Sequence, residues 1–199
     1  MIEYKIIPLG DLLSKEYNQE ILEESFKKFS CLREKDLEDF LIHKAIPYEK
    51  TNYGKTYLII DNEKLEKYKI FSVIAYFTIA QKSIDISNLT PKRKRKVLGE
   101  YPGRDGLNSV PTYLIGQLGR CDDYKNCDLS GKQILNECYH SISMAARVIG
   151  GNTVVLECRE CMFEKFYERH GFKKLYNQLS DEGLYTLYQR INFDEYWGR

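Results

Sequence analysis

Between Leu114 and Lys132 the chain reads LIGQLGRCDDYKNCDLSGK, an apolar run that passes into a polar loop and then a long helical pattern. The first turn of such a helix presents N–H groups without intrahelical partners and a partial positive dipole, so it favours an anion. Ser130 stands where it can cap the helix, Gly131 lets a ligand approach the backbone, and Lys125 and Lys132 add positive charge. Phosphate binding is one reading of this stretch; an ordinary capped helix is the other. It is not a Walker A loop, because the glycine spacing and the Gly-Lys-Ser/Thr ending are absent.

Three further groups have residue types that could do chemistry. Cys158 and Cys161 have the C-x-x-C spacing of a zinc site, with Cys121 and Cys127 as a second pair. That second pair is spaced too widely for the pattern, so the thiols read as buried or idle and no metal is expected. His43, His140 and His170 fall in separate helical stretches and make no triad pattern. Lys92-Arg93-Lys94-Arg95-Lys96 is the densest basic run, readable as a solvated face or as a contact for nucleic-acid phosphates.

The elements that must carry these residues follow from periodicity. Met1–Pro8 alternates and predicts a strand, while Asn18–Phe29 and Glu34–Ile46 predict helices, the second closed by Pro47. Thr56–Asp61 and Ile70–Ala80 predict an antiparallel hairpin about a charged turn at Asn62–Lys69, and Ser83–Ile86 extends that sheet. Pro91–Tyr101 reads as a short basic helix with a loop. Val110–Arg120 predicts a long strand, Ser130–Ile149 a long helix stopped by Gly150-Gly151, and Thr153–Cys158 an apolar strand buried on both faces. Met162–His170 predicts a short helix ended by Gly171, and Phe172–Tyr176 and Leu184–Ile191 a last pair of strands. A strand–helix–strand unit of this kind rejoins its sheet in parallel, which predicts a mixed α/β fold.

Composition narrows the function classes. The chain has 199 residues, with 30 Lys+Arg against 29 Asp+Glu, a formal net charge of +1 that argues against an overall basic nucleic-acid binder. Hydrophobic residues make up 43% and charged residues 30%, which is globular composition. With 16 Tyr and 9 Phe, the chain suits half-buried sheets and pocket walls. No apolar run reaches the ~18–20 residues that span a bilayer. Glu3, Pro8 and Gly10 interrupt the first stretch, which does not read as a signal peptide, so the six cysteines are expected as cytosolic thiols.

Phe166-Tyr167-Glu168-Arg169-His170-Gly171-Phe172 resembles the Phe-Tyr-Glu-x-x-Gly-Phe ending of the GNAT acetyltransferase superfamily. It stands at the expected distance after a strand–loop–long helix–strand unit. Phe29–Ala45 (FSCLREKDLEDFLIHKA) resembles the opening of the GNAT-type toxins of bacterial toxin–antitoxin systems. Val110-Pro111 followed by Leu114-Ile115-Gly116-Gln117-Leu118 is similar to the Pro-x-x-x-x-Gly-Arg-Leu-Ala strand of that group. The likeness runs from Phe26 to Leu187.

This resemblance implies a strongly twisted mixed sheet with a parallel β-α-β core and flanking helices, in one acetyltransferase domain over residues 1–199. It implies acetyl-CoA as cosubstrate, lying where Val110–Arg120 splays from Thr153–Cys158, and a primary amine as acceptor. Leu118, Gly119 and Arg120 at the strand end and Cys158 on the neighbouring strand would touch it. Lys125, Asn126, Asp128, Leu129, Ser130, Gly131 and Lys132 would carry its pyrophosphate, although a carboxylate such as Asp128 repels phosphates unless it points away. Tyr167 is implied as the general acid: a phenol of pKa ~10 can donate to a thiolate whose conjugate acid is near ~8.5. Val110–Arg120 holds no carboxylate, so the amine arrives neutral or loses its proton through water. The toxin relatives acetylate aminoacyl-tRNA, for which Lys92–Lys96 would supply phosphate contacts; a non-catalytic module holding CoA or a partner is the third reading. An antitoxin and a second copy of the chain are further implied partners; a membrane is not.

Overall fold

A computed structural model of the chain describes residues 2–14 and 18–196. The alternating start forms β1 (Tyr4–Pro8), followed by α1 (Leu9–Ser14) and α2 (Gln19–Lys27). Asn18 caps α2, its side chain accepting from the N–H of Glu20 at 2.9 Å. Then come α3 (Lys35–Asp39), a π turn (Phe40–Lys44) and α4 (Ala45–Lys50). Two strands, β2 (Lys55–Asp61) and β3 (Val73–Asp85), flank α5 (Asn62–Tyr68). After α6 (Pro91–Leu98) the chain makes β4 (Ser109–Arg120), α7 (Gly131–Ile149) and β5 (Thr153–Cys158). Short α8 (Glu160–Met162) leads through a second π turn, Phe163–Tyr167, to β6 (Lys173–Lys174) and β7 (Tyr185–Arg190).

The strand order is β1-β2-β3-β4-β5-β7-β6. β4 and β5 are parallel, as a helical crossover requires, whereas β1–β2, β2–β3, β5–β7 and β6–β7 are antiparallel. The mixed α/β sheet with its parallel β-α-β core is therefore as expected. By its internal contacts the chain forms two units, residues 1–80 with 116–138, and 81–115 with 139–199. The first has an apolar core that includes Leu9, Leu22, Phe26, Leu41, Leu58 and Tyr76. The second packs α6 through Val97 and Leu98 with Ile86, Val155, Leu175 and Tyr188. Each fully buried Leu or Ile contributes roughly 1.5–3 kcal/mol, so these clusters, not helix propensity, hold the short helices in place.

Four local features depart from expectation. Helix α1 was not foreseen, because six residues are too few for a periodic signal, although Leu9 and Leu12 are buried. The charged stretch Asn62–Lys69 is not a turn but helix α5, whose N-terminus is capped by Asp61 accepting from the N–H of Lys64 at 2.9 Å. Pro47 does not close the second helical stretch, which runs on as α4. The N–H of Ala45 reaches back to the carbonyl of Phe40 across the π turn, and Pro47 follows in the first turn of α4, where a missing N–H costs little. Ile70–Ala80 and Ser83–Ile86 are one long strand, β3, rather than two.

Candidate functional site

In the first unit, the loop between β4 and α7 is built as the sequence suggests. Ser130 and Gln133 form a reciprocal cap: the N–H of Gln133 donates to Ser130 Oγ at 3.2 Å, and Gln133 Oε1 accepts from the Ser130 N–H at 2.7 Å. The N–H of Ile134 bonds the Ser130 carbonyl, so Gly131 and Lys132 carry the remaining first-turn donors of α7. Lys125, Asn126, Ser130 and Lys132 are exposed, whereas Leu129 is buried. Arg120, at the end of β4, donates from Nη1 to the Leu129 carbonyl at 2.6 Å and so ties the two ends of the loop together.

Asp128 is turned towards the start of the chain. Its Oδ1 accepts from the N–H of Ile2 at 2.7 Å, and this bond holds the carboxyl below its ordinary pKa. The strand end is less open to a ligand than the sequence implies. A Cβ on Gly119 would lie 2.6 Å from Leu37 Cδ1, so this glycine lets β4 pack closely against α3. Leu118 is half-buried beside it.

Tyr124 anchors the loop, a role that sequence reasoning missed. Its hydroxyl donates to Asp61 Oδ2 at 3.0 Å, accepts from Lys64 Nζ at 2.8 Å, and lies 2.9 Å from Ser72 Oγ. The bond to Tyr124 raises the Lys64 amine above its usual pKa. These partners sit more than fifty residues before Tyr124, and no local pattern announces them. Tyr124→Phe would leave the buried Asp61 carboxylate short of a donor, at about 1–3 kcal/mol. The melting temperature should fall by roughly 2–10 °C in thermal unfolding followed by circular dichroism. An unchanged midpoint would remove the network from the stability of the loop.

In the second unit, Tyr167 closes the π turn Phe163–Tyr167, and the chain then tightens into a 3-10 turn at Glu168–His170. Single π turns within helices often mark functional positions. The Tyr167 ring is 8% exposed and is held edge-on by Phe166 and Phe172, with centroids 5.0 and 5.4 Å away. Gly171 ends the segment at φ +90°, a conformation that L side chains rarely adopt, and the N–H of Phe172 returns to the Tyr167 carbonyl at 3.1 Å. Glu160, at the start of this segment, accepts from the Tyr185 hydroxyl at 3.0 Å. Cys158 is buried at the end of β5, in register with Tyr185. Among the described residues, register pairs join β4 to β5 at Tyr113↔Val154 and Leu114↔Val155, although β5 runs on to Cys158.

No protein-family model matches the chain, and comparison with curated proteins by sequence finds no match. Solved structures do match. A structure described as a bacterial toxin superposes with a TM-score of 0.72 at 15% identity, over 96% of this chain and 92% of the other. AtaT complexed with acetyl-methionyl-tRNAfMet gives 0.66 at 16% identity, over 92% and 94%. AtaTR bound with acetyl-CoA gives 0.67 at 15% identity, over 98% and 96%. AtaT is named as a toxin in a further match, where it is bound to the C-terminus of the antitoxin AtaR; that structure superposes with a TM-score of 0.67 at 14% identity, over 98% of this chain and 99% of the other. The chain has the GNAT fold.

The GNAT fold here carries a modified basic run. Of Lys92–Lys96, Lys92 and Lys96 are exposed and make no ion pair or hydrogen bond among the described residues. Lys94 is buried, its Nζ donating to the carbonyls of Asp105 at 3.0 Å and Leu107 at 2.5 Å. Arg95 pairs with Glu100 at 2.9 Å, and Arg93 donates to the Leu175 carbonyl at 2.8 Å. The run is thus largely a structural staple of α6, with two lysines left for a ligand. The six cysteines are free thiols, and no group of three or more His, Cys, Asp or Glu among the described residues could hold a metal. No helix among the described residues is long and apolar enough to cross a membrane.

Proposed function

We propose that the chain works as a single acetyltransferase domain that transfers the acetyl group of acetyl-CoA to a primary amine. The observation that carries this reading is the capped N-terminus of α7, whose loop carries Lys125 and Lys132 while the carboxylate of Asp128 is engaged by the Ile2 N–H. Free first-turn N–H groups and two ammonium groups suit a pyrophosphate. In the reaction, the neutral amine attacks the thioester carbonyl, the C–N bond forms and the C–S bond breaks. Tyr167 gives its proton to the departing CoA thiolate, and the amine's proton leaves through water. The free thiols suit a reducing compartment, which supports a cytoplasmic location.

The test is release of CoA thiol from acetyl-CoA across a panel of amines, with calorimetry for cofactor binding. Amine-dependent release is expected. Tight acetyl-CoA binding with no release on any amine would favour a non-catalytic module, and no binding at all would overturn both.

A second reading takes aminoacyl-tRNA as the acceptor, with an antitoxin as a regulating partner. It is favoured by the similarity to AtaT in complex with acetyl-methionyl-tRNAfMet and by the exposed Lys92 and Lys96. On this reading, affinity for charged tRNA is strong and falls steeply between low and moderate salt.

A further inference from the structure

Within the second unit, α6, β6 and β7 surround two adjoining cavities of about 370 and 210 Å³ that share Lys96, Lys173 and Tyr188. Arg93 and Lys174 also line the larger cavity, and Gly171, Gln189 and Arg190 the smaller. Five cationic side chains therefore converge here, and among the described residues no carboxylate lines either space. Their contacts are all with neutral groups: Arg93 bonds the Leu175 carbonyl and Asn177 Oδ1, and Lys174 lies 3.6 Å over the Tyr185 ring. The Arg190 guanidinium fills the space above Gly99, where any Cβ would collide with it. Burial pushes the Tyr188 phenol up from its ordinary pKa, and the charges of Arg93 and Arg190 pull it down.

Other cations of this unit are neutralised by carboxylates. Lys82 pairs with Glu157 at 2.8 Å, and Arg95 and Arg104 share Glu100. The total charge is +1, so carboxylates are plentiful, yet among the described residues none is set against these five. Like charges gathered without counter-charges repel one another, which is tolerable where a ligand brings the opposite charge. Two arginines with planar forks and three lysines as point charges match phosphate oxygens. A tyrosine hydroxyl and the Gln189 amide add neutral hydrogen-bonding groups.

We propose that this cavity pair is a binding site for linked phosphate groups, made by residues other than those of the loop before α7. The ligand is a free oligophosphate or the phosphodiester backbone of RNA, which present the same chemistry to the same cations. The site does not depend on acetyl transfer, and its test requires none.

The full chain is titrated with sodium tripolyphosphate by calorimetry and with a labelled single-stranded oligouridylate by fluorescence anisotropy. The variant Lys96→Glu with Lys173→Glu reverses two exposed charges of the cavity; Lys27→Glu with Lys28→Glu makes the same change in charge on exposed residues of the first unit. The cavity variant should lose roughly tenfold or more in affinity, and its log–log salt slope on the oligonucleotide should flatten by about 1.4, for two lost contacts. The control pair should stay within about twofold of the wild type, and both variants should keep its melting temperature. Loss of tripolyphosphate binding assigns the site to free oligophosphates, and loss of the oligouridylate alone assigns it to a nucleic-acid backbone. If the wild type binds neither probe at low salt, or the cavity variant binds both as the wild type does, the proposal is overturned.

Discussion

Tyr167→Phe should lower kcat for acetyl transfer by roughly 10²–10⁴-fold, about 3–5 kcal/mol of barrier, and leave the KM for acetyl-CoA within about twofold. On the proposed mechanism the hydroxyl is needed as negative charge develops on the departing sulfur, not for holding the cofactor. The ring should stay where it is, since Phe166 and Phe172 hold it edge-on from two directions and the substitution leaves those contacts intact. A role confined to packing predicts the reverse pattern, with turnover nearly unchanged and a lowered melting temperature if a buried hydrogen bond is lost. Steady-state kinetics beside thermal unfolding separate the two. A folded variant with near wild-type kcat would take Tyr167 out of the chemistry and leave water to protonate the thiolate.

Arg120→Ala should raise the KM for acetyl-CoA by roughly tenfold with little change in kcat, because hydrogen bonds from charged groups are worth about 1.5–3 kcal/mol. Its guanidinium holds the Leu129 carbonyl, one residue before the Ser130 cap, and so sets where α7 begins. Without that brace, the donors of Gly131 and Lys132 would have to be ordered each time the proposed pyrophosphate binds. Hydrogen exchange over residues 125–132 should accelerate in the absence of ligand, which a purely direct contact between Arg120 and phosphate would not produce. Arg120→Lys should recover part of the loss, since an ammonium can still reach a carbonyl but lacks the planar fork. Unchanged exchange in Arg120→Ala would refute the bracing role.

The elements with strong local signals were legible in the residues alone. β4, α7 and β5 each announce themselves through a β-branched run, a Ser130–Gln133 cap, a 3.6-residue apolar stripe or a glycine stop. These signals act within a few residues of the chain, so they survive whatever the rest of the protein does. The Phe-Tyr-Glu-x-x-Gly-Phe segment is local in the same sense, with Gly171 supplying the left-handed residue that ends it. Helix α5 was illegible because Leu65 is its one apolar residue before Tyr68, and only the Asp61 cap, not an amphipathic stripe, starts it.

What depends on residues distant in the chain could not be read before folding. The Asp128 carboxylate meets the Ile2 N–H, which arrives from the other end of the chain. Gly119 packs against Leu37, a contact between residues some eighty positions apart that no local pattern announces. The basic run promised five free charges, yet the fold buries Lys94 on two carbonyls and gives Arg95 to Glu100. It then sets Arg93 and Lys96 among Lys173, Lys174 and Arg190, roughly eighty to a hundred residues later, around one cavity pair. Propensity and capping are set by neighbours in sequence. Which charges meet is decided by strand register and helix packing, and these exist only once the long-range contacts have formed.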